Sequence, residues 1–386
     1  MEHIGEFFTE EVNKVISESY RENETYQKLL EDYFREELKS ERLRVIIGFK
    51  EILDSEIEKY GDILKKFKTT DSIIMETKKD LLEAILKLSS VRFIELDHPV
   101  GLIRPMEGEG KNGGSKDWNM QLIGAPHAWD MNAEGRGIKL GIIDTGIDYN
   151  HPCLKDNVKG GYNFDNDTKD PFDDNGHGTH CAGIAAAYPS SAENLRGVAT
   201  GADLYALKVL SASGGGRTSS IVAAIDWAVT NGLQVLSMSL GSRFPATAMH
   251  EALTAAHERG LILVAASGNE VIGPSFPAFY SATVSVGAVD KNKNPASFTN
   301  RDPRVNIAAP GVSVYSTIPG GKFAAYSGTS MACPHVSGVF TAIIGERNMT
   351  NTEAENLLYD TTEDIKRHSW EVGRGLVRID NALKRL

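Results

Sequence analysis

Two hydrophobic periods organise the front of the chain. Across residues 6–39 apolar positions recur at helical spacing. Phe8, Val12, Val15 and Ile16 make one stripe, and Tyr26, Leu29, Leu30, Tyr33, Phe34 and Leu38 make a second. The spacing predicts a helical pair, broken by the polar stretch Ser19–Glu24. From residue 43 the period changes. Leu43–Phe49 (LRVIIGF) reads as a strand and Asp54–Tyr60 as a short helix. Ile63–Phe67 and Ser72–Thr77 read as strands, Lys78–Leu88 as an amphipathic helix and Val91–Leu96 as a last strand. The order βαββαβ is a small ferredoxin-like α+β unit.

Residues 101–117 (GLIRPMEGEGKNGGSKD) are polar, Gly-rich and carry Pro105, which is linker chemistry. Beyond them, continuous apolar runs alternate with helical patterns. Strands are expected at Ile138–Ile143, Ala202–Val209, Val235–Ser239, Leu261–Ala266 and Thr283–Val286. Helices are expected at His177–Ala187, Ser219–Asn231 and Met331–Arg347. Strands apolar on both faces with helices between them imply a mostly parallel sheet flanked by helices. The chain therefore divides into a helical extension (1–42), a small α+β domain (43–100), a linker (101–117) and an α/β domain (118–386).

Composition narrows the function. Only Gly5, Gly48 and Gly61 of the 37 glycines fall in the first 100 residues, so the tight turns belong to the back domain. The net charge of −11 argues against a nucleic-acid surface, which needs clustered Lys and Arg. No window approaches the roughly 18 apolar residues of a membrane span. Three cysteines are too few and odd in number for a disulfide framework. Met1–Thr9 lacks the layout of a signal peptide, so a cytoplasmic location is expected, with export by a route not visible in the sequence as the alternative.

Three segments carry chemistry. An apolar strand ends on Asp144 in Lys139–Gly146, His177 opens a small-residue helix in Asn175–His180, and Ser330 opens another in Ser327–Ala332. A serine hydroxyl is a weak nucleophile that needs a base, and the base needs an orienting partner. His177 suits the base and Asp144 the partner. Asn269, after the strand ending at Ala266, and the Ser330 N–H suit the oxyanion of a tetrahedral intermediate.

These residues lie in DTGID (144–148), HGTHCAG (177–183), SMSLG (237–241), AASGN (265–269) and GTSMACPHVSG (328–338). In that order the motifs resemble those of the subtilisin-like serine proteases, the subtilases, over nearly all of 118–386. The resemblance implies a serine endopeptidase with Asp144, His177 and Ser330 as triad and Asn269 as oxyanion donor. It implies that substrates pair as an extended strand, with Ser239, Leu240 and Gly241 as one wall of the first pocket. Ala266, Ser267 and Gly268 would be the other wall. Residues 43–100, with Arg44–Lys50 and Ser90–His98, resemble the family's propeptide, an intramolecular chaperone and inhibitor. The implied protein is a self-inhibited precursor that matures by autoprocessing between about residues 101 and 117. Leu102–Pro105 is alternatively a resistant plug, because proline lacks the N–H that strand pairing uses.

Other readings of the same residues are weaker. A single Asp-Thr-Gly cannot supply the paired carboxylates of an aspartic protease. His177 and His180 lack the HExxH context of a zinc site. A binding scaffold without activity is disfavoured because no residue of the catalytic set is missing. Cys181 and Cys333 read as buried helix cysteines; the resemblance implies thiol-reagent sensitivity at Cys181, without a catalytic role. The acidic run 163–174 offers hard oxygen ligands, and related proteases carry calcium in this loop, so Asp165, Asp167 and Asp170 are expected to hold a structural Ca²⁺. The family's strong calcium site is not expected, since Cys153 stands where Asp is usual.

Overall fold

The computed structural model describes residues 36–37, 39–51, 54–107, 116–190, 193–271 and 273–386. The helical pair expected at 6–39 lies almost wholly outside them. Strands β1 (Arg42–Phe49), β2 (Gly61–Lys66), β3 (Ser72–Lys78) and β4 (Val91–Leu96) form an antiparallel sheet in the order β2-β3-β1-β4. Short helices at Asp54–Ile57 and Leu82–Leu86 complete the expected βαββαβ order. Successive side chains of a strand face opposite ways. Val45, Ile47 and Phe49 pack with Ile57, Leu82 and Ile85, whereas Ile46, with Phe93, packs against the following domain. Both faces are buried, which is why the β1 sequence is almost continuously apolar.

Two strands follow from the segment around the linker: β5 (Pro99–Leu102) and β6 (Met106–Glu107). The next domain contributes β7 (Lys139–Asp144), β8 (Val158–Asn163), β9 (Asp203–Lys208), β10 (Gly215–Arg217), β11 (Val235–Met238) and β12 (Leu240–Gly241). After these come β13 (Ile262–Ala266), β14 (Val284–Val289), β15 (Ile307–Pro310), β16 (Val314–Ile318) and β17 (Lys322–Ser327). Seven of these strands form one sheet, β15-β14-β13-β11-β7-β9-β8, with every neighbouring pair parallel. Among the described residues the helices of ten residues or more are α1 (His177–Ala186), α2 (Thr218–Thr230), α3 (Thr247–Glu258), α4 (Thr329–Glu346) and α5 (Asn351–Asp360). They cover both faces of the sheet, so β11 and β13 are buried at every residue. This is a subtilisin-like α/β fold. No helix among the described residues is long and apolar enough to cross a membrane.

The antiparallel unit docks by capping two helices. The residues before α2 and α3 are Arg217 and Ala246, and neither supplies a side-chain cap. The first N–H groups of a helix have no internal partner. Here Asp97 accepts from Ser219 N at 2.8 Å and Ser219 Oγ at 2.6 Å. Glu95 accepts from Thr247 N at 2.6 Å and Ala248 N at 2.9 Å. Arg44 Nε lies 2.8 Å from Asp97. Each carboxylate thus replaces a missing N-cap from another part of the chain. Replacing Glu95 and Asp97 together by Ala should remove about 1 kcal/mol per cap. The expected readouts are a lower melting temperature of the full chain and faster protease nicking of residues 42–98.

Candidate active site

Strand β7 ends on Asp144, which is fully buried. One carboxylate oxygen accepts from Thr145 N at 2.8 Å and lies 2.8 Å from His177 Nδ1. His177 is the first residue of α1. Its helix starts hard against the Asp144 turn: a Cβ on Gly178 would fall 2.1 Å from the Gly146 carbonyl oxygen. Only glycine allows that approach. Ser330 is the second residue of α4, near the positive end of the helix dipole.

Burial alone would push the His177 imidazole down. The buried Asp144 carboxylate beside it, aided by Cys181, reverses the sign, and His177 sits well above its ordinary range. His177 Nε2, the nitrogen facing away from Asp144, is buried with no hydrogen-bond partner. Cys181 Sγ lies 3.9 Å from Nδ1 and donates to the Ser330 carbonyl. Burial holds that thiol above its usual range, and it pushes Cys333 up to about 12, so neither ionises readily. All three cysteines are free. His180 is pushed down to about 3 by burial and stacks on Tyr326, as a neutral packing residue does.

Asn269 is oriented by its neighbours. Its Oδ1 accepts from Thr329 N and Thr329 Oγ1, both at 2.9 Å. That leaves Nδ2 as a donor into the cleft. The residues expected as pocket walls lie beside Ser330 and Thr329. Ser239 Oγ donates to the Ser330 carbonyl at 3.0 Å, and Leu240 and Gly241 form β12. Opposite them, Ala266 ends β13, Ser267 is buried, and Gly268 N donates to Thr329 Oγ1. Ser275 lies against both segments. Its N–H donates to the Ser267 carbonyl, and its Oγ lies 2.6 Å from where a Cβ on Gly241 would be.

The cleft is filled by the chain itself. Strand β5 lies antiparallel between β10 and β12, pairing Gly101 with Gly215 and Gly241, and Leu102 with Leu240. Ile103 is buried against Gly241. Ser330 Oγ donates to the Ile103 carbonyl at 3.0 Å, and Asn269 Nδ2 donates to the next carbonyl, that of Arg104, at 3.2 Å. After Pro105, β6 pairs with Tyr326 and Ser327 of β17. Residues 101–102 and 106–107 of the expected linker are therefore strand.

Asp165, Asp167 and Asp170, expected to hold calcium, lie in the segment between β8 and α1. Asp167 accepts from Tyr162 Oη, and Asp170 accepts from Tyr149 Oη and Phe172 N. Burial raises the Asp165 carboxyl, with the Lys208 charge acting against it. Lys208 Nζ itself sits 2.7 Å from Asp174. Among the described residues, the one cluster of three metal-ligand side chains within 4.8 Å of one another is Asp144, His177 and Cys181, which is the site above. No step of the reaction is assigned to a calcium ion. Sequence reasoning also passed over Thr145, Asp173 and Thr329, which hold the site together.

A cleft in which an extended peptide becomes the third strand between two edges, beside a hydroxyl, an imidazole and a carboxylate, is that of a serine endopeptidase. Comparison with known proteins gives the family. Residues 135–375 match the Subtilase family. The chain is 38% identical over 336 residues to M-protease of Shouchella clausii (strain KSM-K16), covering 86% of this chain and 84% of that one. It is 35% identical over 355 residues to subtilisin E of Bacillus subtilis (strain 168), covering 88% and 90%. It is 42% identical over 273 residues to subtilisin Savinase of Lederbergia lenta, covering 70% and 99%. The chain belongs to the subtilase family and is a serine endopeptidase.

Proposed function

We propose that this endopeptidase is a self-inhibited precursor, with residues 43–100 as inhibitor domain and the segment after them as a plug in the substrate cleft. In the open enzyme, Ser330 Oγ attacks the carbonyl carbon of a bound polypeptide. His177 Nε2 takes the hydroxyl proton, and Asp144 holds the Nδ1–H. Asn269 Nδ2 and the Ser330 N–H stabilise the oxyanion. The proton passes from His177 to the leaving amine, and water then hydrolyses the acyl-enzyme by the same relay in reverse. Ile103, buried beside Gly241, supports a preference for branched aliphatic side chains in the first pocket.

The observation that carries the inhibited state is a one-residue offset. The nucleophile touches the Ile103 carbonyl, whereas the oxyanion amide touches that of Arg104. Acyl transfer needs both groups on one carbonyl. Pro105 supports the offset, since it lacks an N–H and biases Arg104 to extended backbone. Incubating the purified full chain with casein, while following its mass and new N-terminus, tests the reading. Processing should fall between residues 101 and 117, and a terminus elsewhere would overturn that assignment. Pro105→Ala should restore register and speed maturation at least severalfold; equal rates would remove the plug.

A further inference from the structure

Asp173 is a buried carboxylate that the reaction does not use directly. It sits in the loop between the Asp144 turn and the His177 helix, and it bonds to both. One oxygen accepts from Thr145 Oγ1 at 2.8 Å, Gly176 N at 2.8 Å and Asn175 N at 3.0 Å. The other accepts from Thr179 N at 2.9 Å and Thr179 Oγ1 at 2.6 Å. Five donors from two elements thus converge on one side chain. Thr145 completes the link. Its N–H donates to Asp144, and its Oγ1 accepts from Gly178 N at 2.9 Å. On the far side, Lys208 Nζ donates to the Thr145 carbonyl at 2.7 Å and pairs with Asp174.

We infer that Asp173 is a positioning residue of this endopeptidase: through Thr145 and the first turn of α1 it fixes the Asp144–His177 contact. The inference rests on the triad reading above. A surface cap would satisfy only its own helix, whereas this carboxylate is shared between the two elements that carry the base and its partner. A carboxylate accepts at both oxygens; an amide presents N–H groups where Thr179 N or Thr145 Oγ1 already donates. Asp173→Asn therefore sets donor against donor and splays the two elements. The titratable groups around the imidazole are Asp144, Cys181 and His180, with Asp173, Lys208 and Asp174 next to Thr145.

The test uses the full chain and does not need turnover. The proton between His177 Nδ1 and Asp144 is followed by low-field proton NMR across pH, which reports the His177 pKa. Asp173→Asn should lower that pKa and speed exchange of the proton. Thr145→Val should do the same by cutting the relay, and it stands in if Asp173→Asn fails to fold. Thr145→Ser, which keeps the hydroxyl, should restore the parent signal. In matured enzyme, kcat per titrated site should fall roughly 10²-fold with KM unchanged, as for a small misplacement of catalytic groups. An unmoved signal and pKa, with only the melting temperature reduced, would make Asp173 a structural cap. Asp144→Asn is the control: if it too leaves the His177 titration unmoved, the triad reading itself fails.

Discussion

Ser330→Ala should abolish peptide hydrolysis, with kcat down about 10⁶-fold, the magnitude measured for the nucleophile of subtilisin itself. The reason is local. Ser330 Oγ is the hydroxyl aimed at a peptide carbonyl in the cleft, and no neighbouring side chain can replace it. Cys181 Sγ lies nearby, yet it points at the Ser330 carbonyl and its buried thiol resists ionisation. Residual catalysis of about 10³–10⁴ over water should persist from the oxyanion donors and substrate binding. Casein cleavage and labelling by a fluorophosphonate check the result. The parent should label after maturation, and the variant should stay unlabelled and uncleaved near residues 101–117. Full hydrolysis by Ser330→Ala would remove this serine from the mechanism.

The sequence made the skeleton legible where burial is two-sided. Strands β7, β9, β11, β13 and β14 lie within a residue or a few of the expected ranges, because a strand covered on both faces must be apolar throughout. Strand β8 was not legible. Its sequence VKGGYN carries two glycines, and it becomes a strand by pairing with β9 at the sheet edge. The linker misled for a related reason. Gly101 and Leu102 have little strand character of their own, and they are ordered by two free edges, β10 and β12, that lie more than a hundred residues away.

Within the site, Asp144, His177, Asn269 and Ser330 were legible because each sits where a strand ends or a helix begins, and the chemistry there is stereotyped. The acidic run was not. A carboxylate turned outward, like Asp167, and one buried among five donors, like Asp173, are the same letter in sequence. Asp173 did carry one readable sign: it stands four residues before His177, within reach of the first turn of the helix. The docking carboxylates were similarly hidden. Glu95 and Asp97 look like solvent-facing positions until the uncapped starts of α2 and α3 are placed beside them.

Asp144→Asn should lower kcat about 10⁴-fold while the chain keeps its fold, the size of loss measured for the same change in a serine protease triad. Two effects combine. Asp144 accepts from Thr145 N with the oxygen that faces His177. An asparagine that keeps the Thr145 bond retains a neutral acceptor for Nδ1–H; one that flips presents N–H groups to both and favours the wrong tautomer. In either pose the imidazolium formed during attack loses its counter-charge. The pH profile separates this from simple loss of structure. In the parent, Asp144 raises His177 against the opposing effect of burial. Removal of the plug would relieve burial, so the direction survives in the open enzyme. The base is the neutral imidazole, and kcat/KM should therefore rise with pH through a value above 6.5, giving an enzyme most active on the alkaline side. In Asp144→Asn the raising charge is gone, and the acid limb should move to lower pH even as the plateau collapses. A variant with a reduced plateau but an unmoved acid limb would mean that the limb belongs to another group and that Asp144 does not set the charge of His177.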